Sequence, residues 1–271
     1  MVQHGLWCGR LVNLDRDQDV DVKPIAPLMF GIWLTGGLGL GATSLHAETA
    51  PKLKAVVELF TSQGCSSCPP ADALLGKLAN RDDVIALSMP VDYWDYLGWK
   101  DTLASPLFSA RQRRYAKERG DGQVYTPQVV INGIEHAVGN NEAAIEKTIR
   151  QTRAKVAAMA IPLNVWIEGD VVVIEQGIAP AGQKPGKGTL LFAGVQKTAQ
   201  VSIGRGENEG RKVTYFNVVR ELKTLGDWNG DAKTLRLSKN DLMKPGYDFC
   251  AVLMQQGTAG PIVAAVEVKG W

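Results

Sequence analysis

Two cysteines separated by two serines, Cys65 and Cys68, have a spacing suited to chemistry. A C-x-x-C pair either exchanges disulfides or supplies half of a metal site. Cys65 ends a loop and Cys68 begins a segment predicted to be helical. The sulfur of Cys65 would therefore lie near unpaired backbone N–H groups and the positive end of a helix dipole. Both effects lower the pKa of a thiol and favour the thiolate, which attacks disulfides. The spacing predicts Cys65 as the nucleophile and Cys68 as the thiol that resolves a mixed disulfide.

Two other interpretations of this pair stay open. In an oxidising compartment the two cysteines can form a structural disulfide. They can also bind a metal ion, but the mature chain offers few further ligands, namely His136, Cys250 and, if it is retained, His46. A four-ligand zinc site would have to recruit carboxylates. The sequence therefore favours redox exchange, with no metal and no cofactor beyond electrons from an unidentified redox partner.

Hydrophobic patterning predicts the elements that position the cysteines. Residues 54–60 and 84–91 are short apolar runs typical of buried strands. Between them, a segment with three leucines on one side is predicted to be helical. Pro69 and Pro70 fit only in its first turn, where N–H groups lack partners anyway. The order places the cysteine pair between a strand and a helix.

The next segments continue an α/β pattern. A helix is predicted over 105–119, a strand after Thr126–Pro127, a hairpin partner at 135–138 and a helix over 141–156. This order, with C-x-x-C before the first helix, resembles a thioredoxin-like domain. That resemblance implies a cis-proline packed against the dithiol, and proline is the residue for which a cis bond costs little. We therefore predict that Thr126 and Pro127 shape the substrate groove.

The character of the chain changes near residue 160. Short alternating runs separated by Gly, Pro, Asn and Asp follow one another, beginning with a hairpin around Gly169–Asp170. No long helical segment is predicted among them. The pattern predicts an all-β sandwich-like module over 159–271, after a thioredoxin-like α/β domain over 48–158.

The first 47 residues are predicted to be a leader and signal peptide. The stretch 24–47 contains no Asp, Glu, Lys or Arg, is apolar at its centre and ends in small residues, with cleavage predicted after Ala47. It is also long enough to be an uncleaved membrane anchor, but its Gly and Pro content favours cleavage and no stable membrane insertion afterwards. Residues 1–22 are unlike a normal leader and indicate a start assigned too early. The predicted location is periplasmic or secreted.

The charge balance argues against nucleic acid as a partner. The chain carries 30 basic and 28 acidic residues, a net charge of +2, and has no long basic run. Nothing in this balance favours nucleic acid binding. The predicted partners are a protein or small-molecule thiol or disulfide substrate and the redox partner.

Two further groups of residues are candidates for the site. Glu58 lies in the strand before the cysteines, where a buried carboxyl could shuttle a proton for the resolving thiol; alternatively it reaches solvent or pairs with Lys. An aromatic–acidic cluster after the second strand could grip a substrate or instead pack between the two modules. Its members are Asp92, Tyr93, Trp94, Asp95 and Trp99.

Remaining polar and cysteine residues are predicted to be structural. Cys250 is expected to be a small core residue. A second polar–aromatic set is expected to build salt-bridged turns, and it comprises Arg205, Glu207, Asn208, Arg220 and Trp228.

Several segments resemble an uncharacterised family of secreted, thioredoxin-like proteins, domain of unknown function 1223. The resemblance runs from about Ala55 to the C-terminus and implies the fold and the Cys65/Cys68 site, but no substrate. The segments that carry it are VVELFTSQGCSSCPPADALLGKLA, VDYWDYLGWKDTLASPLFSARQRRYA, YTPQVVINGIEHAVG and RGENEGRKVTYFNVVRELKTLGDW.

Overall fold

Strands and helices form close to the positions that the hydrophobic pattern predicts, within the ranges 53–180 and 187–270 that the computed structural model describes. The predicted signal peptide lies outside these ranges. The elements in them are β1 (Ala55–Thr61), α1 (Pro69–Leu78), β2 (Val84–Pro90), α2 (Pro106–Arg119), β3 (Gln128–Ile131), β4 (Glu135–Val138), α3 (Glu142–Met159), β5 (Leu163–Glu168), β6 (Val171–Gln176), β7 (Gly188–Ser202), β8 (Lys212–Trp228), β9 (Lys233–Ser238), α4 (Lys239–Leu242), β10 (Phe249–Gln256) and β11 (Ile262–Lys269).

Most of these strands join one mixed sheet. Within the described ranges, eight strands pair in the order β11-β10-β7-β8-β2-β1-β3-β4, and β5, β6 and β9 form a separate three-stranded sheet. β1 is parallel to β2 and antiparallel to β3. β2 meets β8 through a single parallel pairing of Ser88 with Val218. The side chain of Asn217 reinforces this junction, since its Nδ2 donates to the carbonyl of Ala86 at 3.0 Å.

The predicted fold class, a thioredoxin-like α/β domain followed by an all-β sandwich-like module, is wrong. The protein is mostly sheet, and β7, β8, β10 and β11 extend the sheet begun by β1–β4 instead of packing into a sandwich of their own. The physical reason lies at β2, whose seven residues are all buried and whose edge away from β1 accepts β8. Alternation along a strand predicts which side chains are buried, but not which edge the strand pairs with. The division of the chain at 158/159 stays a prediction.

Alternate side chains of β1 point to opposite faces of the sheet and pack in two different hydrophobic clusters. Ala55, Val57 and Leu59 pack with the leucines of α1. Val56 and Phe60 pack on the opposite face with residues of α2, β7 and β10. Glu58 has the same parity as Val56 and Phe60, so it faces α2 and not α1.

The turn between the two long strands β7 and β8 lies next to the cysteine loop. β7 and β8 pair antiparallel as far as Ser202 and Lys212. The residues between these strands, 203–211, form the β7–β8 turn. No helix in the described ranges is long and apolar enough to span a membrane.

Candidate functional site

The two cysteines form a buried disulfide where β1 leads into α1. Cys65 lies in the loop after β1, and Cys68 is the N-cap of α1. Their Cα atoms are 5.4 Å apart. Cys65 is 1% and Cys68 0% exposed, whereas the serines between them are exposed. The loop thus exposes its two serines to solvent and keeps the sulfurs covered.

The start of α1 offers few free backbone donors to the Cys65 sulfur. Pro69 and Pro70 occupy its first two positions, as predicted, and have no N–H. The N–H groups of Ala71 and Asp72 both donate to the carbonyl of Cys68, at 2.8 and 3.1 Å. The effect of the helix on a Cys65 thiolate therefore comes from the helix dipole and not from unpaired N–H groups.

The β7–β8 turn covers the disulfide loop. The buried side chain of Asn208 donates through Nδ2 to the carbonyls of Gln63 and Cys65, at 3.0 and 2.8 Å. Glu207 Oε2 accepts from the N–H of Ser66 at 3.0 Å. The side chain of Ser66 and this N–H together lower the pKa of the Glu207 carboxyl. Arg211 Nη1 donates a hydrogen bond to the Oδ1 of Asn208 at 3.0 Å. These contacts fasten the turn to the loop.

Sequence reasoning had assigned Glu207 and Asn208 to structural turns. Their contacts with the loop span more than 140 residues of sequence, and no local signal predicts such a contact. Trp228, from the same set, lies at the other end of β8, where its Nε1 donates to the carbonyl of Gly177 at 3.1 Å.

Trp94 joins the disulfide loop to the Thr126–Pro127 segment. Its Nε1 donates to Thr126 Oγ1 at 2.8 Å, and the Thr126–Pro127 peptide bond is cis. Its Cβ lies only 3.0 Å from where a Cβ on Gly64 would be. The structure thus brings together the loop, Trp94 and Thr126. That Thr126 and Pro127 line a substrate groove stays a prediction.

Replacing Gly64 by Val is expected to destabilise the fold by about 1–3 kcal/mol, because its methyl groups would press on Trp94. The Cβ alone makes a tight contact with Trp94, so Gly64→Ala should cost less than Gly64→Val. Urea unfolding measures both. Ser66→Val, at an exposed position of the same loop, is the control for the intrinsic effect of a β-branched residue. Equal stability of Gly64→Val and Ser66→Val would contradict the prediction.

Two other members of the aromatic–acidic cluster, Trp99 and Asp95, support the loop, Trp99 directly and Asp95 through Asp101. Trp99 Nε1 donates to Gln63 Oε1 at 2.8 Å. Asp101 Oδ2 accepts from the N–H of Gln63 at 2.8 Å, and Asp95 Oδ1 accepts from the N–H of Asp101 at 3.1 Å. Asp92 does not contact the loop in this way, and its carboxylate accepts a hydrogen bond from the hydroxyl of Ser109 in α2. A substrate-binding role for the cluster stays a prediction.

Glu58 is not brought together with the cysteines. It is fully buried on the α2 face, where Arg111 donates to both of its carboxylate oxygens, at 2.7 and 3.3 Å. Tyr115 also donates to Glu58. Gln255 of β10 completes the network by accepting from Arg111 at 2.9 Å and donating to Tyr115 at 3.0 Å. These contacts pair the Glu58 carboxylate within a buried network that joins β1, α2 and β10.

Sequence reasoning did not single out another acid, Asp72, whose N–H donates to the carbonyl of Cys68 one helical turn before it. It belongs to the first turn of α1 and is 2% exposed. Burial raises the pKa of its carboxyl well above the usual range. Its position four residues after Cys68, on a predicted helix, was the signal that could have identified it.

Cys250 and the search for a metal site complete the comparison with the sequence-based expectations. Cys250 is a buried free thiol in the core, as predicted, and burial raises its pKa. Within the described ranges, no three His, Cys, Asp or Glu side chains converge as a metal site.

The fold and the site together define a protein with a mixed eight-stranded sheet and a covered C-x-x-C disulfide at the head of a helix. The chain belongs to the family described as "Protein of unknown function (DUF1223)", which matches residues 56–255. This confirms the family expected from the sequence. The matched range contains both cysteines and the β7–β8 turn.

Two solved structures are similar to the chain. One is the crystal structure of protein AGR_C_4864 from Agrobacterium tumefaciens, with 35% identity and a TM-score of 0.70 over 81% of this chain and 95% of that one. The other is HBP35 of Porphyromonas gingivalis, with 13% identity and a TM-score of 0.56 over 80% of this chain and 75% of that one. The second likeness concerns the fold alone. Comparison with the curated proteins gives no match.

Proposed function

We propose that the protein is an exported thiol–disulfide oxidoreductase that acts through Cys65 and Cys68. The observation that carries this proposal is the C-x-x-C disulfide at the N-cap of α1. Trp94, which packs on the loop next to the pair, also bonds to Thr126, in the segment expected to form the groove. Export is proposed from the apolar stretch 24–47 alone.

The proposed reaction uses the two sulfurs of this chain and needs no bound cofactor. The thiolate of a substrate thiol attacks the Cys65 sulfur, a mixed disulfide forms and Cys68 leaves as a thiolate that takes up a proton. A second substrate thiol then displaces Cys65, so that two thiols are oxidised to one disulfide and the Cys65–Cys68 disulfide is reduced to two thiols. The reverse sequence reduces a substrate disulfide.

We expect access to the sulfurs to depend on movement of the β7–β8 turn. Cys65 is 1% exposed, and the Asn208 contacts hold the turn over the loop. The same burial favours a second candidate function, a non-catalytic binding protein in which the disulfide only fixes the start of α1. The two candidates differ in the reduction potential and in the reactivity of Cys65.

Replacing Cys68 by Ser is expected to trap a mixed disulfide on Cys65, because the resolving thiol is then missing. The reduced variant, mixed with glutathione disulfide, should gain one glutathione by mass spectrometry. The matched variant Cys65→Ser should gain much less, since the proposed reaction makes Cys65, and not Cys68, the sulfur that reacts with the substrate. Equal labelling of the two variants would contradict the assignment of Cys65 as the nucleophile.

The reduction potential decides between the two candidates. Equilibration of the full chain against glutathione and dithiothreitol buffers, with thiol trapping, should give a value between about −120 and −270 mV for an exchange catalyst. A value below about −300 mV, with thiols that trap slowly, indicates a structural disulfide and overturns the proposed enzyme.

A further inference from the structure

Glu207 of the β7–β8 turn places a negative charge on the C-x-x-C loop. Its Oε2 accepts from the N–H of Ser66 at 3.0 Å. Four covalent bonds separate that nitrogen from the Cys65 sulfur, so the carboxylate oxygen lies within about 8 Å of the sulfur that reacts in the proposed mechanism. Residues 61–70, which contain the whole loop, include no Asp, Glu, Lys or Arg. The loop itself therefore carries no charged side chain, and the turn brings this charge to it.

The carboxylate of Glu207 is held at the loop and is not neutralised by a basic partner. The next residue, Asn208, is buried and donates to two carbonyls of the loop, so the turn cannot shift without breaking these bonds. The turn also carries Arg205, Glu209 and Arg211. Glu207 nevertheless takes part in none of the ion pairs formed within the described ranges. Its charge is therefore available to an approaching substrate.

Glu207 is ionised at neutral pH, and this distinguishes it from Asp101, which also contacts the loop. The Glu207 side chain is exposed, and hydrogen bonds from the side chain and the N–H of Ser66 lower its pKa. Asp101 accepts from the N–H of Gln63 but is only 5% exposed, and burial raises its pKa. Exposed charges act over about 10 Å in 0.1 M salt. The Glu207 carboxylate is thus close enough to act on a charged group that approaches Cys65.

Movement of the turn does not remove this charge from the site. Both ends of the turn continue into paired strands, with Ser202 opposite Lys212, so opening can carry Glu207 only a short distance from the loop. Once released from Ser66, its carboxylate is also free to pair with a basic group of the substrate. The charge therefore acts on the substrate before and after the turn moves.

We propose that Glu207 selects substrates whose reacting sulfur lies beside a positive charge and disfavours substrates that are negatively charged there. This inference rests on the proposed function, in which a substrate sulfur approaches Cys65. An ammonium or guanidinium group next to that sulfur is attracted to the Glu207 carboxylate, whereas a substrate carboxylate is repelled. The favoured substrate class is a basic thiol or disulfide, such as a cysteine that is flanked by lysine or arginine.

The test compares three dithiols of different charge as reductants of the oxidised full-length protein. They are dithiobutylamine, which is a cation, dithiothreitol, which is neutral, and dihydrolipoate, which is an anion. Each dithiol is oxidised to its cyclic disulfide, its two protons pass to the cysteines through solvent, and the Cys65–Cys68 disulfide is reduced to two thiols that are trapped and counted. Each rate is divided by the dithiothreitol rate of the same protein. This ratio is insensitive to a change in access to the sulfurs, because such a change affects the three reagents alike.

Glu207→Gln removes the charge and preserves the size of the side chain. At low ionic strength the normalised rate should fall about two- to tenfold with the cationic dithiol and rise by a similar factor with the anionic one. Both effects should shrink in about 1 M salt, because the Debye length is then shorter. Glu209→Gln makes the same change of charge at an exposed position of the same turn. It is the matched control and should change the normalised rates much less.

Two results would overturn this inference and leave the proposed function intact. Normalised rates that are the same in Glu207→Gln and in the unaltered protein would show that Glu207 has no influence on the choice of substrate. Equal effects of Glu207→Gln and Glu209→Gln would show that the net charge of the turn, and not the position of Glu207, sets the preference. If none of the three dithiols reduces the folded protein, the disulfide is structural, and the proposed function fails together with this inference.

Discussion

Replacing Arg111 by Met is expected to lower the free energy of unfolding by about 3–5 kcal/mol, because Glu58 is left as an unpaired buried charge. Arg111 is 1% and Glu58 0% exposed. Arg111 also donates to Tyr115 and Gln255, at 2.6 and 2.9 Å. The network ties β1, α2 and β10 together on the face of the sheet that packs against α2, so its loss affects both halves of the chain. Urea unfolding measures the effect.

A double variant tests whether the pairing causes the loss. Glu58→Leu combined with Arg111→Met removes both charges and should recover much of the stability lost in the single variant, since buried ion pairs are often replaceable by apolar residues. Arg236→Met is the surface control. It breaks an exposed ion pair with Glu168 and should cost less than about 1 kcal/mol. A double variant no more stable than Arg111→Met alone would contradict this account.

Replacing Asn208 by Ala is expected to cost about 2–4 kcal/mol, because the carbonyls of Gln63 and Cys65 lose their shared donor in a buried place. The loss should act locally and loosen the β7–β8 turn over the loop. Reduction of the Cys65–Cys68 disulfide by dithiothreitol, followed by thiol trapping, is then expected to be at least about tenfold faster than in the unaltered protein.

The control for this variant lies on the same turn. Glu209 is exposed, and Glu209→Ala should change neither the stability nor the rate of reduction. An Asn208→Ala protein that is destabilised but reduced at the unaltered rate would show that the turn does not govern access to the sulfurs.

Local features of this protein could be predicted from its sequence. The apolar runs around β1 and β2 and the periodicity of α1 and α3 act over a few residues, so the pattern located these elements closely. Pro69 and Pro70 were placed in the first turn of α1, where they lie. The C-x-x-C spacing identified a cysteine pair that does form a disulfide.

Features that depend on distant residues could not be predicted in this way. Whether β8 pairs with β2 or with strands of a second sheet depends on edges that the sequence pattern does not reveal, and the predicted fold class failed for that reason. Glu58 was assigned to the cysteines because it precedes them in sequence. The parity of β1 instead turns its side chain toward Arg111. Asn208 reaches the loop only through the length of β7 and β8.

The junction between β2 and β8 has a consequence for the order in which the chain can fold. The Asn217 side chain and the Ala86 carbonyl that it binds are 131 residues apart, so β2 has no neighbour on one edge until most of the chain is present. Contacts of such long range slow folding, and an unpaired edge on a strand buried along its whole length promotes association between chains. During synthesis from the N-terminus, this edge of β2 would thus stay uncovered until β8 has been made.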